Sequence, residues 1–406
     1  MVKLKLKRQP TRRRLFTGLV KYDMLLLIIV LLLAAYGTAA IYSASNFKAK
    51  EALGNSHYFL EKQLFRLFLG LVLMVLVMQI DYHTLQRIAP LLMAATFIML
   101  MYVLFAGNFH KGSRRSIDLL GVVFQPSEIA KYVLILFLST FLVKKGERIK
   151  NFSEGLLPTL FIIALIVIPI LMEPDLGTGM LTFIISTMLI FVAGASIYHL
   201  AGLGISALTL VGFLLTTFPY QKIRLMKFVD AVRGLQEPPW QVTQSLISFA
   251  NGGLFGVGLG NSRQKLHFLP QPFTDFIFSI VGEEIGLIGC VLLLILFLAF
   301  LWRGLWIASH APDREGQLLA LGMTSSIIIF AWFNAGVALN LLPVTGITMP
   351  FISYGGSSLV VHFVAVGVLL NISSQLNGDA NGRVALSRNN YVTSANARSL
   401  RKKKRR

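Results

Sequence analysis

One cysteine, Cys290, in 406 residues leaves the chain no disulfide framework and no cysteine-based metal site. Charge is scarce as well, at 14% Asp, Glu, Lys and Arg, against about 25% in an ordinary soluble domain. Acids are the scarcest, 18 against 38 Lys and Arg. The apolar runs do not alternate with polar residues, which excludes a transmembrane β-barrel. No histidine stands to a serine as a hydrolase triad requires, and no cluster has zinc-ligand spacing. A cleavable signal peptide is also missing. The basic start runs into an apolar stretch too long for an h-region, so the first helix is expected to stay as an anchor.

What remains is grease. The chain is 55% hydrophobic with a mean hydropathy of +0.69, in repeated runs of membrane-spanning length. The fold expected is an all-α polytopic membrane protein with ten transmembrane helices, at 24–42, 63–80, 88–106, 125–143, 156–172, 177–194, 200–218, 276–302, 316–342 and 351–375. The net charge of +20 sits mainly at the ends. Residues 1–21 carry eight Lys and Arg with no acid, and 376–406 carry nine with one acid, Asp379. Flanking membrane helices, such clusters set orientation and attract anionic membrane lipids. Nucleic acid is not an expected partner, because no folded module or stacking surface accompanies the charge. The domains expected are a basic cytoplasmic tail at 1–23, a membrane domain at 24–375 and a disordered basic cytoplasmic tail at 376–406. With ten spans, the tail side collects 24 Lys and Arg and the other side 13. Both termini are therefore expected in the cytoplasm. The connections 107–124, 218–275 and 342–350 then face outward, 218–275 being the large loop before helix 8.

The chemistry concentrates in 269–284, L-P-Q-P-F-T-D-F-I-F-S-I-V-G-E-E. Read as a helix from Asp275, it stacks Asp275, Ser279 and Glu283 on one face, with Glu283 ~12 Å deeper at 1.5 Å per residue. Carboxylates at that depth are costly unless they meet a wet cavity or a partner. Asp275, following Thr274, is either a first-turn cap or a working acid. In the fourth span, Q-P-S-E-I-A-K sets Glu128 and Lys131 one turn apart. They form a self-satisfied ion pair, or Lys131 faces a cavity and holds an anion. Lys131 is the only basic residue clearly within a span. Set against Glu128, Glu283 and Glu284, it leaves a proton, a metal or water to supply the balance.

Lys111, Arg114 and Arg115 cluster before that span, able to grip phosphate or merely solvated. Arg263, Lys265 and His267 meet an anionic headgroup or water. The glycines at 252, 253, 256, 258 and 260 expose backbone N–H groups to a phosphate or permit close packing. Glu173-Pro174-Asp175 reads as a turn. In P-V-T-G-I-T-M-P-F-I-S-Y-G-G-S-S, 343–358, the small residues pack closely, or Ser353, Ser357 and Ser358 turn hydroxyls into a cavity.

Together, G-S-R-R-S-I-D-L, Q-P-S-E-I-A-K, E-P-D-L-G-T, F-L-P-Q-P-F-T-D-F-I-F-S-I-V-G-E-E-I-G and L-P-V-T-G-I-T-M-P-F-I-S-Y-G-G-S-S resemble the SEDS family (shape, elongation, division and sporulation), whose branches include FtsW and RodA. They run in family order from Gly112 to Ser358. The loop N-G-x-L-F-G-x-G-L-G looks nearer the FtsW division branch than RodA. The resemblance implies a peptidoglycan glycosyltransferase that polymerises lipid II into β-1,4 glycan strands at the outer face of the cytoplasmic membrane, with Asp275 catalytic. It implies functional roles for Glu128 and Lys131, and partnership with a class B penicillin-binding protein transpeptidase and other division proteins.

On that reading the reaction is inverting, with a polyprenyl diphosphate leaving. Lys131, Arg114, Arg115, Arg263 and Lys265, with or without Mg or Mn, face the diphosphate. Ser357 and Ser358 touch substrate, while Thr274, Glu283 and Glu284 support the site. Two departures stand out: Ser116 occupies a position where the family usually has Trp, and Thr348 replaces a common proline. The rival readings are a lipid II flippase, a non-catalytic division scaffold and a RodA-type elongation polymerase.

Overall fold

The computed structural model describes residues 22–110, 113–119, 122–217, 219–266 and 268–376. The two basic tails fall almost wholly outside these residues, as do Lys111 and His267. The chain is helical, as expected. Helix α1 (Met24–Leu53) starts where the Asp23 carboxylate accepts the Leu26 N–H at 2.9 Å. Helices α2 (Tyr58–Val77) and α3 (Tyr82–Ala106) follow.

The connection 107–124 holds three short strands, β1 (Asn108–His110), β2 (Ser113–Leu119) and β3 (Val122–Phe124), in an antiparallel sheet of order β1-β2-β3. Pro126 then opens α4 (Pro126–Lys145), where its missing N–H costs nothing. The apolar helices α5 (Leu157–Met172), α6 (Leu176–Val192) and α7 (Ile197–Thr217) come next. The long connection 218–275 is not a plain loop, since it carries α8 (Pro219–Val232) and α9 (Trp240–Gly252).

Among the described residues, seven helices can cross a membrane by length and composition: α1, α3, α4, α5, α11 (Gly286–His310), α12 (Arg314–Ala338) and α13 (Ser358–Leu376). The expected spans 63–80, 177–194 and 200–218 fall on α2, α6 and α7. Of these, α2 carries Glu61, Lys62 and Arg66, and α6 has only 17 residues. Buried fractions of 72% for α4, 78% for α12 and 72% for α13 place these three at the centre, against 28% for α3 and 33% for α11. The outer helices expose Phe65, Phe68, Leu91, Phe105 and Phe161, the surface that lipid rather than water would cover.

The span expected at 276–302 is two helices. A short α10 (Ile277–Glu284) ends at Ile285, and α11 begins at Gly286, whose φ is +74°. Breaking a helix inside an apolar bundle would orphan its backbone groups. Residues 253–258 prevent that. Val257 and Gly258 donate N–H to the carbonyls of Glu283 (2.9 Å) and Glu284 (3.0 Å), and Leu287 donates to the Gly253 carbonyl (2.9 Å). The approach demands glycine. A Cβ on Gly252 would lie 1.9 Å from the Gly282 oxygen, and one on Gly256 2.2 Å from the Glu284 oxygen. Of the two uses open to this glycine series, the contacts at 252 and 256 are close packing.

At the opposite end of the bundle, Arg303 pairs with Asp23 at 2.6 Å, and Asn371 holds the Tyr82 N–H and the Met78 carbonyl. His83 bridges Asp81 (2.9 Å) and Asp313 (2.7 Å), joining the starts of α3 and α12. Asp81 and Asp313 are pulled up by partial burial but held below the usual aspartate range by their hydrogen bonds, from His83 to the first and from the Gly316 N–H, Tyr82 and His83 to the second.

Candidate functional site

Asp275 is not in a helix. It occupies the turn before α10, so the Asp275–Ser279–Glu283 stack does not form, because helical geometry begins two residues later, at Ile277. The turn is instead clamped through its backbone. The Phe273 carbonyl accepts the Tyr354 N–H at 2.8 Å, the Thr274 carbonyl the Ser353 hydroxyl at 2.6 Å, and the Asp275 carbonyl the Asn334 side-chain N–H at 2.8 Å. Asn334 also donates to the Ile347 carbonyl at 2.7 Å, so one buried amide ties the turn to the segment before α13. The Asp275 side chain is half-buried. Its Oδ2 lies 3.6 Å from where a Cβ on Gly346 would sit, and Gly346 has φ +75°. Three consecutive carbonyls are fixed, and the carboxylate stands at the edge of the clamp.

Glu128 and Lys131 are an ion pair, Nζ to Oε2 2.6 Å, with both side chains buried. Their spacing puts them on one face of α4. The lysine does not open onto a cavity: Nζ lies 3.9 Å from the Phe330 ring centre and 5.4 Å from that of Tyr132, and the residue is 1% exposed. Ser358 lies at the top of this pair, 3.3 Å from His362 Nδ1 and 3.5 Å from the Thr348 hydroxyl. Ser357 accepts the Gln125 N–H at 3.0 Å, so its hydroxyl joins α13 to the start of α4. The segment 347–358 thus connects the Asp275 turn to the sealed pair below.

The other expected site residues go elsewhere. Glu283 accepts from the Ser262 hydroxyl and from the N–H groups of Arg263 (3.2 Å) and Gln264 (3.3 Å). Glu284 accepts from Ser43 (2.5 Å), the Ser262 N–H (3.4 Å) and Lys265 (3.2 Å). Both carboxylates staple the 257–265 loop and do not wall a cavity. Lys265 therefore meets neither water nor a headgroup; it is buried, with further bonds to the Ser43 (3.1 Å) and Gly260 (2.7 Å) carbonyls. The charge deficit inferred from a single lysine is resolved by this second buried cation and by loop N–H groups. A third buried cation, Arg66 on α2, corrects the view that Lys131 is alone within a span.

Arg263 is exposed. Arg115 donates from Nε to the Glu173 carbonyl (3.1 Å) and from its terminal nitrogen to the Pro174 carbonyl, tying the small sheet to the α5–α6 turn. Ser116, where the family usually has Trp, is buried in β2 opposite Asn108. The Arg114 side chain lies outside the described residues. Thr274 bonds locally, its hydroxyl donating to the Gln271 carbonyl at 3.3 Å.

The α5–α6 turn is more than a turn. Glu173 is 1% exposed, and neither carboxylate oxygen has a hydrogen-bond partner. Burial, then the neighbouring Asp175 charge, push its pKa up to about 8 against the pull of Arg115. The folded protein therefore binds a proton here that the unfolded chain releases near pH 4.5. Stability is complete below that pH and falls as pH rises toward 8. Glu173→Gln, which mimics the neutral acid, should flatten the fall and raise the unfolding temperature at pH 8 relative to pH 5. Thermal unfolding of both proteins at the two pH values checks this, and equal pH slopes would show that Glu173 ionises normally. Nothing in E-P-D marks the glutamate as buried.

Among the described residues no group of three or more His, Cys, Asp or Glu side chains converges as a metal site would require.

Fold and site together define a multi-pass helical membrane protein with a braced carboxylate turn at one end of the bundle and a sealed ion pair beneath it. The chain belongs to the FtsW/RodA/SpoVE family, whose model, described as "Cell cycle protein", matches residues 23–378. It is 43% identical over 354 residues to "Stage V sporulation protein E" of Bacillus subtilis, covering 86% of this chain and 96% of that protein. It is 36% identical over 360 residues to "Probable peptidoglycan glycosyltransferase FtsW" of Geobacter sulfurreducens, covering 88% and 96%. Among solved structures it resembles a chain from "Structural coordination of polymerization and crosslinking by a peptidoglycan synthase complex" (TM-score 0.72, 27% identity, 87% and 98% covered). It also resembles the rod shape determining protein RodA of Thermus thermophilus (TM-score 0.65, 27% identity, 88% and 99% covered).

Proposed function

We propose that this protein is a peptidoglycan glycosyltransferase that polymerises lipid II at the outer face of the cytoplasmic membrane, in the septal branch of wall synthesis. The observation that carries this reading is the Asp275 turn: three backbone clamps hold a half-buried carboxylate at one end of a membrane bundle, where a sugar attached to a lipid would lie. The names of the relatives support the activity, and the 43% and 36% matches to SpoVE and FtsW proteins support the septal branch over elongation. The Lys and Arg asymmetry, counted over ten spans, supports cytoplasmic termini and with them an outer position for Asp275.

In the proposed reaction Asp275 takes the proton from the acceptor's 4-hydroxyl as that oxygen attacks the anomeric carbon of the donor. The α-linked bond to the lipid diphosphate breaks, the polyprenyl diphosphate carries off the bonding electrons, and a β-1,4 linkage forms in one inversion. A transpeptidase of the class B penicillin-binding type would crosslink the product, a pairing supported by the likeness to a chain of a synthase complex that joins the two activities. The sealed Glu128–Lys131 pair argues against the flippase reading, which needs a polar path opening to each side in turn.

The test is to incubate the purified protein and its partner with labelled lipid II in liposomes. Ladders of glycan are expected. Translocation of a labelled lipid without any ladder would replace the enzyme with a transporter.

A further inference from the structure

The departing diphosphate needs positive charge, and three of the five cations first assigned to it are occupied. Lys131 belongs to Glu128, Lys265 to Glu284 and two carbonyls, and Arg115 to two carbonyls. Another set stands beside the Asp275 turn. Phe59, Phe273 and Tyr354 form an aromatic cluster with ring centroids 4.8–5.7 Å apart, and Phe273 lies two residues before Asp275. Three cations rest on this cluster and on the adjoining Tyr58. Lys48 at the end of α1 is 5.6 Å from the Phe273 ring centre, Arg66 is 4.5 Å from that of Tyr354, and Lys62 is 4.3 Å from that of Tyr58. Among the described residues none of the three pairs with a carboxylate. The neighbouring acids Glu51 and Glu61 are exposed.

Arg66 is the informative member. It is 9% exposed, two turns into α2 where the helix becomes apolar, and its NH1 has no hydrogen-bond partner. Gln63, one turn earlier on the same face, is 1% exposed with an unpartnered Oε1. An aromatic ring offsets part of the cost of burying a guanidinium, but an unmatched donor and a charge without a counterion at that depth are both expensive. A counterion arriving with a ligand removes both costs. The outer side of α2 exposes Leu64, Phe65 and Phe68, which gives a lipid tail an apolar surface beside the cations.

We infer that Lys48, Lys62 and Arg66 form the binding site for the diphosphate of a polyprenyl-linked ligand, with its tail along α2. This rests on the glycosyltransferase reading for the identity of the ligand. The half-exposed Lys48 and Lys62 make the outer contacts, and Arg66 turns from the Tyr354 ring to grip the diphosphate through its fork of N–H groups.

The test titrates full-length protein in nanodiscs with polyprenyl diphosphate, polyprenol, inorganic diphosphate and phosphatidylglycerol. Wild type should prefer polyprenyl diphosphate over each of the others. Arg66→Gln should weaken that binding about tenfold or more, and Lys48→Gln by a smaller factor. Thermal unfolding identifies an Arg66→Gln protein that fails to fold, and Lys48→Gln then decides. Unchanged affinity in the folded variants overturns the assignment. So does phosphatidylglycerol competing on equal terms, which would mark a general anionic-lipid surface. Inorganic diphosphate binding as tightly as the lipid would overturn the role of the tail. A wild type that binds polyprenyl diphosphate through Arg66 yet makes no glycan leaves this site standing and removes the enzymatic reading instead.

Discussion

Replacing Asp275 with asparagine should slow glycan polymerisation by a factor of about 10² to 10⁴, the usual contribution of a positioned general base. Asparagine keeps the size and shape of the side chain but has no basic oxygen to take the acceptor's proton. The fold should not notice. Asn334, Ser353 and Tyr354 grip the carbonyls at 273–275 and not the carboxylate, so the clamp survives the change. Glycan ladders from labelled lipid II, compared at equal folded protein, measure the effect. An Asp275→Asn protein polymerising at the wild-type rate would show that the proton goes elsewhere.

Removing Lys131 should damage the protein itself. Lys131→Met leaves Glu128 buried without its cation, a loss of about 3–5 kcal/mol for a broken buried pair from a total that is typically 5–15. A large fall in unfolding temperature is expected, with poor yield. The reversed pair, Glu128→Lys with Lys131→Glu, restores the attraction but places a cation in the first turn of α4, where the helix dipole disfavours it. Partial recovery of stability is the expected result. Activity then separates two roles. If it returns with stability, the pair is architecture; if stability returns without activity, one of the two touches substrate. A reversed pair no more stable than Lys131→Met would show that the 2.6 Å contact is not what holds this region.

How much of this was legible beforehand depends on the range of the interaction. Glu128 and Lys131 are three residues apart, so helical periodicity alone sets them face to face. Asp275 was visible as an acid at a boundary. Its geometry was not, because the onset of α10 is set by contacts with residues 334–354, far along the chain. The partners of Glu283 and Glu284 are hidden from the sequence for the same reason. Their partners, Ser43 and 262–265, arrive from another helix and from a loop folding back over the break, and counting charges along a span cannot see them. Arg66 falls within the expected span 63–80, in the run Leu64-Phe65-Arg66-Leu67-Phe68. An arginine in such a run is itself the signal.

The exchange of backbone hydrogen bonds between 253–258 and the α10–α11 break bears on how the chain enters a bilayer. Neither partner is acceptable to hydrocarbon alone, since the interruption would bare its carbonyls and amides, and within 252–258 the strip closes only the Gly256 N–H to Gly252 carbonyl bond at 2.7 Å. The two must therefore be delivered together, after α9 has been synthesised and before α11 settles. This part of the topology is decided late in biogenesis, by a hairpin that partitions as one object and not helix by helix.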